Sequence, residues 1–166
     1  VLMDEKDRLK FVASLITSMD RNVPIILGNH QWGESEWVLF DQLFSPAVIF
    51  GLQKSTDGNQ PIFKEKDQGS ILIPTGGTSS DALRFAIHRW ESLEAQSLMV
   101  QTFLGDKAIN SICCLPLFHV SGLMQVIRAI ASNGQILFSQ LNELESASKL
   151  VAVEDFCLSL VPTQLS

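Results

Sequence analysis

The sequence predicts an α/β fold, a mostly parallel sheet with helices on both faces. Three observations point there. Short apolar runs such as Pro24-Ile-Ile-Leu27 and Pro46-Ala-Val-Ile-Phe50 have the character of strands buried on both faces. Segments with helical apolar spacing lie between such runs. Strands joined through helices pair in parallel, by right-handed crossovers.

Taken in order, Val1 opens the chain already inside a strand. Residues 5–20 have an acidic start and apolar positions at Leu9, Val12, Ala13, Leu15 and Ile16, which is a helical spacing. Pro24–Leu27 is the next strand. Gly33 and Ser35 open a second helix that carries Trp37, Phe40, Leu43 and Phe44 on one side. The strand 46–50 ends at Gly51. Residues 52–69 are polar, contain Gly58, Pro61 and Gly69 and show no period, so they are expected to form a surface loop or loose hairpin. Ser70–Ile73 is a strand, Pro74–Asp81 a glycine-serine-threonine loop and Leu83–His88 a further strand. Glu91–Leu104 is helical, with Leu93, Gln96, Ser97, Val100 and Leu104 spaced for one face. The rest alternates: strand 111–115, helix 120–132, strand 135–138, helix 143–151 and strand 157–161.

The 166 residues are 46% apolar, enough for a real core. A mean hydropathy of +0.20 fits either a compact hydrophobic domain or a piece of a larger body. Both ends are expected to be truncations, since the chain opens on Val1 and closes at Val161-Pro-Thr-Gln-Leu-Ser166, where a strand gives way to a helix start. The net charge is −6 and no Lys/Arg stripe is present, which leaves nucleic-acid binding through the phosphate backbone without support. The acids at Asp4 to Asp7, Glu34 to Glu36 and Glu143 to Asp155 are expected on solvated faces. Three cysteines, with Cys113 and Cys114 adjacent in an apolar run, suit a reducing compartment better than a disulfide framework. A cytoplasmic location is therefore expected. No signal peptide is recognisable, and no apolar run approaches the length of a membrane span.

Two segments carry chemistry. Thr75-Gly-Gly-Thr-Ser-Ser80 follows a strand, and its glycines allow the backbone to turn its N–H groups toward an anion. The hydroxyls of Thr75, Thr78, Ser79 and Ser80 add donors, and Arg84 can place a guanidinium fork against the same charge. The loop lacks the Gly-Lys-Ser/Thr end of a Walker loop and is not a G-x-G-x-x-G turn. A plain flexible turn is the competing reading. Leu115-Pro-Leu-Phe-His-Val-Ser-Gly-Leu123 also follows a strand, at the carboxyl end where open α/β sheets bind ligands. His119 can bond an acid substrate there, with Phe118 and Leu123 as an apolar wall. The competing reading makes His119 a helix cap and Gly122 a packing residue. A Ser121–His119 hydrolase lacks the G-x-S-x-G elbow. His30 and Glu34 have helical spacing but no second His to complete a zinc site, and Trp32, Trp37 and Trp90 suit packing better than nucleotide stacking.

Together, Ile73-Pro-Thr-Gly-Gly-Thr-Ser-Ser80, Leu115-Pro-Leu-Phe-His-Val-Ser-Gly122 and Leu160-Val-Pro-Thr-Gln164 resemble, in order and spacing, motifs of the adenylate-forming superfamily. That superfamily holds acyl-CoA synthetases, luciferases and peptide-synthetase adenylation domains. Gly28-Asn-His-Gln-Trp-Gly-Glu-Ser-Glu-Trp37 and Arg84-Phe-Ala-Ile-His-Arg-Trp-Glu-Ser-Leu93 are similar to cyanobacterial o-succinylbenzoate–CoA ligases of phylloquinone and menaquinone synthesis, with Arg84 where most relatives have Lys. The resemblance implies that residues 1–166 are an incomplete N-terminal adenylation domain. It implies ATP, Mg²⁺, CoA and a small carboxylic acid as reactants. Thr75, Gly76, Gly77, Thr78, Ser79, Ser80 and Arg84 would hold phosphates, and His119, Ser121 and Gly122 would help form the acyl pocket. Ser80 stands where the family has glycine, and Asp81 begins a longer approach to Arg84. The catalytic residues are expected beyond residue 166, so the fragment by itself is expected to be inactive. The alternative is a non-catalytic anion-binding or interaction module that keeps the loop as a scaffold.

Overall fold

A computed structural model describes residues 1–51, 65–75, 82–149 and 155–161. They form two compact units, Val1–Trp90 and Glu91–Ser166.

The first unit contains β1 (Leu2–Met3), α1 (Arg8–Asp20), β2 (Ile25–Leu27), α2 (Glu34–Leu43), β3 (Ile49–Phe50), β4 (Ser70–Pro74) and β5 (Phe85–Arg89). The sheet order is β3-β1-β2-β4-β5. The pairs β3–β1, β1–β2 and β2–β4 are parallel, and β5 is antiparallel to β4. The stretch between β4 and β5 is too short for a parallel crossover, so it closes a hairpin instead. The step from β1 through α1 to β2 runs one way, and the step through α2 to β3 returns past β1. Right-handed crossovers therefore put α1 and α2 on opposite faces of the sheet.

Local chemistry sets the helix starts. The Asp7 carboxylate accepts from the N–H groups of Leu9 (2.9 Å) and Lys10 (3.1 Å), capping α1. The Glu36 carboxylate reaches back to the Gly33 N–H (3.0 Å) at the start of α2. On the α2 side Leu2, Ile26, Phe40 and Leu72 form a buried cluster with Trp32, Trp37, Phe44 and Phe85 packed against it. The Trp32 and Trp37 rings meet edge to face at 5.0 Å, and Phe44 meets Phe85 at 5.1 Å. The tryptophans of this unit's α2 face are packing residues.

Three expectations are corrected in this unit. The face α1 buries is Phe11, Leu15 and Ser18, a spacing of four and then three, while Leu9 and Ile16 are exposed. Asp4, expected on a solvated face, is buried: it ends β1 inside the sheet instead of starting a helix. The strand expected over 46–50 is also shorter, pairing only at Ile49 and Phe50.

The second unit begins one residue into α3 (Trp90–Phe103) and continues with β6 (Asn110–Cys113), α4 (Val120–Ala131), β7 (Ile136–Phe138), α5 (Leu144–Ser148) and β8 (Phe156–Leu158). Its three strands are parallel in the order β7-β6-β8. Leu123, Met124, Gln125, Val126, Ile127 and Ala129 are all buried, so α4 is the central helix of this unit. The Ser132 hydroxyl ties its end to β6: it donates to the Arg128 carbonyl (2.7 Å) and accepts from the Ile109 N–H (2.8 Å). The helix expected over 143–151 is a 3₁₀ turn, Leu141–Glu143, followed by the short α5, and residues 150–154 lie outside the described set. Among the described residues no helix is long and apolar enough to cross a membrane.

Candidate functional site

The hairpin of the first unit carries the predicted phosphate loop. All of β4 is buried, and five register pairs from Ser70–Arg89 to Pro74–Phe85 hold β5 against it. Thr75 continues the ladder, its N–H donating to the Arg84 carbonyl at 2.9 Å. Its hydroxyl donates to the same oxygen at 3.3 Å, and both residues are exposed. Thr75 and Arg84 thus face each other at the mouth of the loop. Here the Thr75 hydroxyl closes the hairpin; an anion would have to win it from the carbonyl. Gly76, Gly77, Thr78, Ser79, Ser80 and Asp81 lie outside the described residues. At the other end of the hairpin the Arg89 guanidinium donates to the carbonyls of Lys66 (3.1 Å) and Gln68 (3.2 Å). That bond pair anchors the chain entering β4.

In the second unit β6 ends at Cys113, and the buried Leu115, Leu117 and Phe118 pin the turn that follows. His119 is the N-cap residue of α4, with extended backbone and no side-chain capping bond. Its carbonyl accepts from the Leu123 N–H at 2.9 Å. The imidazole is therefore not spent on the helix start; it lies tilted on the Phe118 ring at 4.5 Å. Partial burial lowers its pKa from the ordinary value, which keeps it neutral at pH 7 with one donor and one acceptor nitrogen. Gly122 is buried where α4 crosses the preceding turn, and a Cβ there would collide with the Pro116 carbonyl oxygen. Its packing role is plain in the structure.

Beside this turn lies a cavity of about 560 Å³. Met99 and Val100 of α3 and Val120 and Met124 of α4 supply apolar lining; Gln96, Ser121, Ser159 and Arg128 supply polar atoms. Of the predicted acyl-pocket residues, Ser121 lines the cavity, and His119 and Gly122 flank it in sequence. Arg128 was not anticipated. Its Nε is buried and has no hydrogen-bond partner among the described residues. The signal was in the helix period, for Ser121, Met124 and Arg128 follow at three and seven residues on one face. Among the described residues no group of three His, Cys, Asp or Glu could hold a metal ion.

No family model matches the chain, and no curated protein matches it. Solved structures do. The o-succinylbenzoate CoA synthetase (MenE) from Bacillus subtilis, in complex with the acyl-adenylate intermediate OSB-AMP, superposes with a TM-score of 0.75 at 15% identity, over 99% of this chain and 49% of that one. The same enzyme with ATP and magnesium ion gives 0.71 at 14% identity, over 99% and 50%. Apo MatB from Rhodopseudomonas palustris gives 0.71 at 13%, over 98% and 39%. The chain therefore spans at most half the length of these relatives. At such identities the likeness is one of fold. The chain has the α/β fold of the N-terminal domain of the adenylate-forming acyl-CoA ligases.

Proposed function

We propose that the chain supplies the phosphate-binding and acyl-binding parts of an ATP-dependent acid–thiol ligase whose acid is o-succinylbenzoate. In that reaction a substrate carboxylate oxygen attacks the α-phosphorus of ATP and pyrophosphate leaves. The sulfur of CoA then attacks the acyl carbon and AMP leaves. The product, o-succinylbenzoyl-CoA, belongs to menaquinone or phylloquinone synthesis. The first step needs phosphate charge balanced and the carboxylate held in line, so positioning and electrostatics carry it. Thr75 to Ser80 and Arg84 are assigned to the β- and γ-phosphates. His119, Ser121 and Gly122 are assigned to the acyl side. The groups that complete the chemistry are not assigned within these residues, and the 166-residue chain alone is proposed to be inactive.

The observation that carries the acid assignment is Arg128. A mostly apolar cavity with one guanidinium, whose Nε lacks a partner among the described residues, suits an aromatic acid that keeps a second carboxylate after the first has reacted. o-Succinylbenzoate is such an acid, and the similar MenE structure was solved with its adenylate. A charge-assisted hydrogen bond of about 1.5–3 kcal/mol corresponds to roughly a 10- to 100-fold preference. Calorimetric titration of the chain with o-succinylbenzoate, and with the analogue lacking the ring carboxylate, tests this. The diacid should bind more tightly by that factor, and Arg128→Met should erase the difference. Equal affinity of wild type for the two acids would remove the assignment.

A second reading keeps the loop as a scaffold for anion binding or a partner, without catalysis. The hydroxyl of Thr75, closed onto the Arg84 carbonyl, favours it. The two differ in what Arg84 does for ATP.

A further inference from the structure

β1, β2 and β3 end together on the carboxyl edge of the first sheet, and Asp4 stands where β1 stops. The parallel register sets Leu2 against Ile26 and Met3 against Leu27, so Asp4 comes level with Gly28. Gly28 is what gives the carboxyl room: a Cβ there would lie 2.9 Å from the Asp4 Cβ and 3.0 Å from its Oδ1. The turn at Gly51 closes the other side, against the Asp4 backbone carbonyl. The backbone is clamped on both flanks, Asp4 N–H donating to the Phe50 carbonyl (2.9 Å) and Gly28 N–H to the Met3 carbonyl (2.7 Å). Asp4 is 4% exposed, and its Oδ1 is buried with no hydrogen-bond partner among the described residues.

A carboxylate in that position has lost water on one oxygen and gained nothing in return, whereas the neutral acid loses far less. The charged and titratable groups around it do not reverse this. Lys6 favours the anion and Glu5 opposes it, both from the segment after β1. Asp7, next along, is spent on the start of α1. His30, from the loop after β2, is itself held toward the neutral form by burial and by Lys6. The residues of β3 that pair with β1, Ile49 and Phe50, are apolar.

We propose that Asp4 is a proton-binding latch on the carboxyl edge of the first sheet: its neutral form seats the 28–32 loop and the Gly51 turn, and loss of the proton loosens both. Burial, the largest influence, pushes the carboxyl up to about 6, inside the range where small changes in pH act. The loop so controlled runs beside the hairpin, because pairing of Ile25 with Ile71 and Ile26 with Leu72 brings Asn29 level with Thr75. The latch does not depend on what that hairpin binds.

The test uses the full chain labelled with ¹³C and ¹⁵N. The Asp4 carboxyl carbon, assigned through its own Cβ, should titrate near pH 6. Amide exchange at 28–32, corrected for its intrinsic pH dependence, should quicken at least about tenfold between pH 5 and 7.5. Asp4→Asn should make that corrected rate flat, and His30→Gln should leave the wild-type response in place. The latch is wrong if Asp4 titrates below about pH 4.5, if the Asn variant keeps the response, or if the His30 variant abolishes it. Should Asp4→Asn fail to fold, the carboxyl titration and the His30 variant still decide.

Discussion

Asp4 couples folding to a proton through the placement of one methylene and one carboxyl. Its folded value of about 6 lies above the ordinary carboxyl value of 3.8, so the folded state holds the proton more tightly. The stability this confers is complete below about pH 4 and is lost as pH rises through about 6; two units of difference correspond to about 3 kcal/mol at most. Urea unfolding of the first unit, followed from pH 4.5 to 7.5, should show a falling midpoint for wild type and a level one for Asp4→Asn. At pH 7.5 the Asn variant should be the more stable by about 1–3 kcal/mol. The sequence around Asp4 resembles any acidic helix start, and its burial follows only from the pairing that brings Gly28 alongside. Arg128 was more legible: on a helix read correctly, it falls on the stripe of Ser121. A search led by motifs passes over it, because a lone cation on an apolar helix carries no motif.

Among the elements, α4 shows how close packing and the site share one sequence. Gly122 lets the helix lie on the Pro116 carbonyl, while its neighbour Ser121 is turned to the cavity. Gly122→Ala must push helix and turn apart, because the atom it meets is backbone and not a yielding side chain. A loss of about 1–3 kcal/mol is expected, read as a lower urea midpoint for the second unit. Ser121→Ala, which faces the cavity, should stay within about 0.5 kcal/mol of wild type. The element order was readable because apolar runs and helical periods alternate through most of the chain. Boundaries were less so. Strand β3 forms only where β1 is there to pair with it, at Ile49 and Phe50, with the Val48 carbonyl accepting from the Leu2 N–H just ahead of the pairing. On α1 the helical period was right: of the apolar positions it picks out, Leu15 is buried while Leu9 and Ile16 stay exposed, and Phe11, outside that set, is buried as well.

For the molecule as a whole, a mostly parallel sheet followed in sequence by a parallel one accounts for the likeness to ligases of about twice the length. The order of the two motifs along the chain made that likeness legible where family models match nothing. Thr75 and Arg84 face each other where the loop leaves the hairpin, so the loop's end points were predictable from strand pairing; its interior, 76–81, lies outside the described residues. Incubating the chain with ATP, CoA and o-succinylbenzoate should yield no acyl-CoA, since the groups that finish the reaction are not assigned within it. The central claim is that the hairpin loop binds the phosphates of ATP. It is tested most directly by titrating Mg·ATP into wild type and Arg84→Ala and following backbone amide shifts. The account predicts weak, saturable shifts centred on residues 75–84 in wild type, and an affinity lower by roughly tenfold or more in the variant. Shifts of equal midpoint in both proteins, or none at those residues, would contradict it.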